Sequence, residues 1–218
     1  VAVTGINERT ARALGLNYDK VYNYTPSHAS YYPGWTNMSI KAIFEKDTGK
    51  ILGAQIVGFD GVDKRCDILA TAIRAGMTGF DLTELELCYA PPFSSARDPV
   101  NMIGYVIENT IKGLVKNFHW HDVEKLPRDG SAILLDVRTP AEAARGKIDG
   151  FINMPLESLR ANIDKLDRSK PIYVLCRSGQ RSYIACRMLT GHGFDAYNLS
   201  GGYQLYESII NDRQASSS

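Results

Sequence analysis

The run Ile172-Tyr173-Val174-Leu175-Cys176-Arg177-Ser178-Gly179-Gln180-Arg181-Ser182 constrains this chain more than any other stretch. Its four apolar residues read as a buried strand, the small and polar residues after them as a tight loop, and Tyr183 to Thr190 as a helix. A strand feeding a helix in this way belongs to a parallel sheet covered by helices, with ligands expected at the carboxyl ends of its strands. The loop amides and the positive end of the helix dipole together form a cradle for an anion. Cys176 lies at that point, with Arg177 and Arg181 within five residues, so its sulfur is expected to be held as a nucleophilic thiolate. The alternative is a buried, inert cysteine ending a core strand. The neighbours of Cys176 are loop residues rather than packing residues, which favours the reactive reading. Cys186, in mid-helix between Ala185 and Arg187, is read as structural.

The surrounding sequence continues the alternation. Ile133 to Arg138 reads as a strand, followed by a helix start with Thr139 at the cap, Pro140 at the first position and Glu142 at the third. Ile148 to Met154 reads as extended, Leu156 to Leu166 as helix, Asp195 to Leu199 as strand and Tyr203 to Ile210 as helix. Residues 116–213 thus form an α/β unit with a parallel sheet and helices on both faces, and 214–218 a polar, disordered tail. Lys116 to Leu126 opens the unit. His119 and His121 lack a third ligand nearby, so no metal is expected.

Residues 1–115 show a different pattern. Val1 to Val3 and Val21 to Tyr24 read as strands, and Asn7 caps a short helix ending at Gly15. Met38 to Phe44 and Ile51 to Val57 flank the turn Lys46-Asp47-Thr48-Gly49-Lys50 as a hairpin. Asp63 to Gly76 carries an apolar stripe at Cys66, Leu69, Ala70, Ile73 and Met77, and Val100 to Leu114 is a second long helix. Two irregular segments are aromatic: Ser27 to Trp35, and Tyr89-Ala90-Pro91-Pro92-Phe93-Ser94-Ser95-Ala96-Arg97-Asp98-Pro99. This is an α+β unit, an antiparallel sheet with helices.

Charge and cysteine usage narrow the class. Net charge is +1, and residues 1–117 carry 12 basic and 12 acidic residues, so neither nucleic acid nor a membrane surface is an expected partner. Cysteines 66, 88, 176 and 186 contain no C-x-x-C pair, which points to free thiols in a reducing, cytoplasmic setting. No apolar run approaches the ~20 residues of a membrane-spanning helix. The chain opens on strand-like sequence without Met, as a piece of something longer would. No G-x-G-x-x-G or phosphate loop occurs.

Residues 49–58, Gly-Lys-Ile-Leu-Gly-Ala-Gln-Ile-Val-Gly, with the helix after them, resemble the dimerisation domain of the pyridine nucleotide-disulfide oxidoreductases. The Tyr-Ala-Pro-Pro-Phe-Ser loop resembles that of the coenzyme A disulfide reductase and NADH oxidase branch. That resemblance implies a homodimer, with upstream domains holding FAD and NADH. It also assigns Tyr31 and Tyr89 to the partner subunit's reductase site beside coenzyme A, with Tyr32 the alternative to Tyr31.

Four segments of the second half resemble a rhodanese domain. They are Leu135-Asp136-Val137-Arg138-Thr139-Pro140-x-Glu142, Gly146-x-Ile148-x-Gly150-x-Ile152-Asn153-x-Pro155-Leu156, Cys176-Arg177-Ser178-Gly179-x-Arg181-Ser182 and Leu199-Ser200-Gly201-Gly202. Lys147, where the family often has histidine, and Tyr203 depart from the pattern. The resemblance implies that Cys176 carries sulfane sulfur as a persulfide in a loop of Arg177, Ser178, Gly179, Gln180, Arg181 and Ser182, taking it from a donor and passing it to a thiol. Arg177 and Arg181 would hold charge around the sulfur, and Asp136 and Arg138 would brace the loop. The parent enzyme would then reduce coenzyme A disulfide, persulfides or polysulfides with NADH. Two other readings stand beside this one: an assembly module with a non-catalytic rhodanese domain, and a cysteine-dependent phosphatase. Phosphatases of this fold place five residues between cysteine and arginine, whereas four separate Cys176 from Arg181.

Overall fold

The structure, a computed structural model, describes residues 1–216. Two compact units, Val1–Lys112 and Gly113–Ser218, divide the chain. The join lies three residues before the expected one because Val115 packs into the core of the second unit.

The first unit is built on a four-stranded antiparallel sheet of order β1-β4-β3-β2, comprising β1 (Ala2–Gly5), β2 (Tyr18–Pro26), β3 (Asn37–Glu45) and β4 (Ile51–Val57). Period-two alternation places Met38, Ile40, Ala42 and Phe44 of β3 on one face, where they are fully buried. Helices α2 (Val62–Ala75) and α4 (Pro99–Ile111) complete that core with Leu69, Ala72, Ile103 and Ile107. Short helices α1 (Glu8–Ala13) and α3 (Gly79–Glu84) complete the unit, the first capped by Asn7, whose Oδ1 accepts from the Thr10 amide at 2.8 Å. Strand β2 is longer at both ends than its apolar core suggested, since pairing with β3 extends it through Pro26.

The second unit carries a five-stranded parallel sheet of order β5-β9-β8-β6-β7. Its strands are β5 (Lys116–Phe118), β6 (Ile133–Asp136), β7 (Ile152–Asn153), β8 (Ile172–Leu175) and β9 (Ala196–Leu199). Both faces are apolar, as a doubly covered parallel sheet requires. Leu135 and Val174 pack with Leu159, Ala185 and Leu189 on one face, while Leu134 and Leu175 pack with Phe118, Val123 and Ile148 on the other. The helices are α5 (Pro140–Arg145), α6 (Leu156–Asn162), α7 (Gln180–Gly191) and α8 (Gly202–Ser216).

Three expectations are corrected here. The segment at 148–154 is strand only at Ile152–Asn153, because β7 is an edge that pairs with β6 at two positions. Helix α7 begins at Gln180, not Tyr183, because Gly179 takes φ +101° as its cap and turns the chain directly into the helix. Helix α8 continues through Gln214 to Ser216, so of the expected tail only residues 217–218 remain, outside the described residues. None of the helices described is long and apolar enough to cross a membrane.

Candidate active site

Strand β8 ends at Leu175 and delivers Cys176 to the carboxyl edge of the sheet, beneath the first turn of α7. The residue is fully buried and touches the apolar cluster of α6 and α7, which fits the alternation of β8. Its sulfur, however, is met by polar groups. The Gly179 amide donates to Sγ at 3.2 Å, and the Ser182 hydroxyl lies 3.2 Å from Sγ and 3.2 Å from the Gly179 carbonyl. With one hydroxyl proton and two acceptors, a sulfur anion draws that proton to itself. Gln180, Arg181 and Ser182 occupy the first helical positions, where amides have no intrahelical acceptor, so the positive end of α7 faces the sulfur.

The loop is held from outside by the turn into α8. The Tyr203 amide donates to the Cys176 carbonyl at 2.8 Å and the Gln204 amide to the Arg177 carbonyl at 2.9 Å. This close approach requires glycine at position 202. Its φ is +63°, and a Cβ there would lie 2.5 Å from the Arg177 oxygen and 2.7 Å from the Cys176 oxygen. Tyr203, the departure from the expected pattern, lays its ring against the Arg138 guanidinium, 4.0 Å from the ring centroid. Arg138 and Asp136 form a buried, forked ion pair (Nε and Nη2 to the carboxylate at 2.7–3.0 Å), and Arg138 also donates to the Gly146 carbonyl at 2.8 Å. Arg138 thus touches the ring of the residue whose amide bonds the Cys176 carbonyl.

The two loop arginines stand in different surroundings. Arg177 is exposed. Arg181 reaches 39 residues back to Glu142, donating from Nη1 at 2.8 Å to Oε2 and from Nη2 at 2.6 Å to Oε1. The same carboxylate closes the capping box of α5 by accepting from the Thr139 amide and hydroxyl, each at 3.0 Å. The Arg181 hydrogen bonds, helped by those from Thr139, hold the Glu142 carboxyl down at about 2. The charge of Arg181 is therefore matched by a carboxylate, not directed solely at the sulfur.

Cys186 is fully buried below this loop, and burial, then proximity to Cys176, pushes its thiol up. It stays a neutral packing group, consistent with its mid-helix position. All four cysteines are free, Cys88 being the exposed one. Among the described residues no cluster of histidine, cysteine and acidic side chains could hold a metal.

In the first unit, Tyr31 and Tyr89, 58 residues apart in sequence, are brought hydroxyl to hydroxyl. Tyr32 instead stands edge-on to His28, with ring centroids 5.9 Å apart. Tyr31 is 74% exposed and Tyr89 45%. The hydrogen bond with Tyr31 raises the Tyr89 phenol above its ordinary value. Both tyrosine loops are fixed by a buried group that the sequence pattern did not single out. Arg65 of α2 donates to Asp98 at 2.9 Å, to the Ser27 carbonyl at 2.8 Å and to Ser94 Oγ at 3.3 Å, while Ser94 Oγ donates to Asp98 at 2.6 Å. Burial pushes the Asp98 carboxyl up, but the bonds from Arg65, Ser94 and the Val100 amide outweigh it and hold the group below the usual carboxylate range. The available signals were an arginine on the apolar stripe of α2 and an aspartate capping α4 ahead of Pro99.

Comparison with known proteins follows the same division. Residues 1–100 match the family model of the pyridine nucleotide-disulphide oxidoreductase dimerisation domain, and residues 119–208 match that of the rhodanese-like domain. A coenzyme A disulfide reductase of Staphylococcus epidermidis is 45% identical over 90 residues, 41% of this chain and 20% of that protein. Among solved structures, reduced Bacillus anthracis CoADR-RHD is 46% identical with a TM-score of 0.93, over 97% of this chain and 38% of that one. An NAD-dependent persulfide reductase from A. fulgidus is 38% identical with a TM-score of 0.83, over 94% of this chain and 37% of that one. The chain therefore spans a fifth of the curated relative and under two fifths of the two solved chains.

Proposed function

Because a pyridine nucleotide-disulphide oxidoreductase dimerisation domain over residues 1–100 is followed by a rhodanese-like domain over 119–208, we propose that this chain is the C-terminal part of a coenzyme A disulfide, persulfide or polysulfide reductase. In it, Cys176 carries sulfane sulfur. The observation that carries this reading is the pair of donors, the Gly179 amide and the Ser182 hydroxyl, each 3.2 Å from the Cys176 sulfur at the positive end of α7. The thiolate attacks the outer sulfur of a donor such as thiosulfate. A new S–S bond forms, the donor's S–S bond breaks, and sulfite leaves with the bonding pair. The terminal sulfur then bears the charge, and the loop donors and the α7 dipole stabilise it. An acceptor thiolate attacks that sulfur, and Cys176 leaves as the thiolate, so no electrons are lost or gained on the protein.

Tyr31 and Tyr89 are assigned to the reductase site of the partner subunit in a homodimer. Their paired hydroxyls can donate to a thiolate while their rings lie along the apolar arm of coenzyme A. Their exposure on loops pinned by Arg65 supports a surface prepared for a partner. FAD and NADH serve the parent enzyme by this reading. The sequence holds no G-x-G-x-x-G for either dinucleotide, and in the second unit the turn after β8 closes on the Cys176 sulfur while Asp136 and Arg138 pair at the turn after β6. The steps assigned to this chain accordingly end at sulfur transfer. Four unpaired cysteines support a reducing compartment such as the cytoplasm.

The phosphatase reading needs a free arginine fork above the cysteine and a carboxylic acid to protonate the leaving group. Arg181 is bonded to Glu142 and Glu142 is held ionised, which counts against both requirements. The test is thiocyanate formation from thiosulfate and cyanide. The chain is expected to turn over, and Cys176→Ser to abolish turnover while leaving the oligomeric state intact. No turnover by the unsubstituted chain would favour a pure assembly module, and phosphate release from an aryl phosphate would favour the phosphatase.

A further inference from the structure

The Arg181–Glu142 pair joins two elements that local sequence does not connect, and it occupies the guanidinium completely on its carboxylate-facing edge. Both terminal nitrogens are used, at 2.8 and 2.6 Å, on the two oxygens of a single carboxylate. Such a fork is the geometry by which arginine grips phosphate or sulfate. The Arg181 side chain is 27% exposed and Glu142 21%, so the pair sits at the rim of the loop within reach of solutes, and the neighbouring Arg177 is exposed as well. A second carboxylate, Glu157 at the start of α6, acts on Arg181 through space.

We propose that Glu142 is the selectivity element of the loop: by filling the Arg181 fork it removes the seat an oxyanion would take at the rim of the Cys176 loop, and leaves the loop amides to a single anionic sulfur. This rests on reading the loop as a sulfur site and adds a reason for it to discriminate against free phosphate and sulfate. The Arg181 hydrogen bonds hold the Glu142 carboxyl down at about 2, so mild acidification does not release the fork. Glutamine at the same position keeps an oxygen for the α5 capping box, since both Glu and Gln serve there, but carries no charge to hold Arg181.

The test is phosphate binding by calorimetry to the unsubstituted chain, to Glu142→Gln and to the double variant Glu142→Gln/Arg181→Gln. Glu142→Gln is expected to bind phosphate at least about tenfold more tightly, a gain of about 1.4 kcal/mol. The double variant is expected to fall back to the unsubstituted value, showing that the gain runs through Arg181. Should Glu142→Gln fail to fold, Glu142→Ala with the same partner change gives the same reading. Equal phosphate affinity in the single variant and the unsubstituted chain, or a gain that survives loss of Arg181, would overturn the proposal. Sulfur uptake by the unsubstituted chain, read separately as added mass, distinguishes the two levels. Uptake without a phosphate effect defeats the role of Glu142 and leaves the sulfur reading standing; a phosphate effect without uptake defeats the sulfur reading, and with it the selectivity for sulfur, leaving only the masking of Arg181 by Glu142.

Discussion

Replacing Gly202 with alanine tests how the loop under α7 is held. The new Cβ would stand 2.5 Å from the Arg177 oxygen and 2.7 Å from the Cys176 oxygen, contacts that real Cβ atoms do not make. The backbone at φ +63° adds the penalty of a left-handed residue with a side chain, about 1–2 kcal/mol. To relieve the contact, the turn must back away, weakening the Tyr203 and Gln204 amide bonds of 2.8 and 2.9 Å. At about 0.5–1.5 kcal/mol each, these bring the total to roughly 2–5 kcal/mol for the second unit. Hydrogen–deuterium exchange by mass spectrometry, read on peptides covering β8, α7 and α8, measures this directly. Gly191→Ala is the control, because that position in α7 has open space around it, and the substitution should be neutral or stabilising by up to about 1 kcal/mol. Sulfur uptake at Cys176 should fall with the protection of the loop. If Gly202→Ala exchanges as slowly as the unsubstituted chain and takes up sulfur at the same rate, the bracing role of the α8 turn is wrong.

Ser182→Ala removes one of two donors to the Cys176 sulfur. A hydrogen bond to a charged group is worth about 1.5–3 kcal/mol, so single-turnover sulfur uptake should slow by roughly tenfold or more; an unchanged rate would show that the hydroxyl serves only the Gly179 carbonyl. Arg65→Met strands Asp98 in the core and should destabilise the first unit by about 3–5 kcal/mol, with loss of protection in both tyrosine loops; local exchange confined to α2 would contradict the shared anchoring. Glu142 has its carboxyl held at about 2, below the ordinary 4.5, so its contribution to stability is fully present above about 4.5 and is lost as pH falls toward 2. Stability of the second unit measured at pH 3 and pH 6 should therefore differ less in Glu142→Gln, and an identical pH dependence in the two chains would refute that linkage.

Local chemistry made much of this molecule legible. The hairpin at 38–57, the Thr139 capping box and the alternation around β8 are each set by neighbours a few residues apart, and each is present. The apolar pattern sets the start of α7 three residues late because the polar run Gln180-Arg181-Ser182 carries no apolar period; the positive φ of Gly179 shows that the helix begins there. What sequence could not show is long-range pairing. Arg65 meets Asp98 across 33 residues and Arg181 meets Glu142 across 39, and in both cases the folded sheet chooses the partner. The same holds for Tyr203, whose amide and ring tie Cys176 to Arg138 from the far side of the loop. A local reading could identify Arg177 and Arg181 as cations near a thiol. It could not assign one to a carboxylate and the other to solvent.

Mass spectrometry on the chain incubated with thiosulfate, followed by peptide mapping, tests the central assignment most directly. The expected result is one added sulfur, about 32 Da, located on the peptide bearing Cys176, absent in Cys176→Ser and removed by a small thiol. No added mass, or sulfur carried instead by the exposed Cys88, would contradict the assignment of Cys176 as the sulfur carrier.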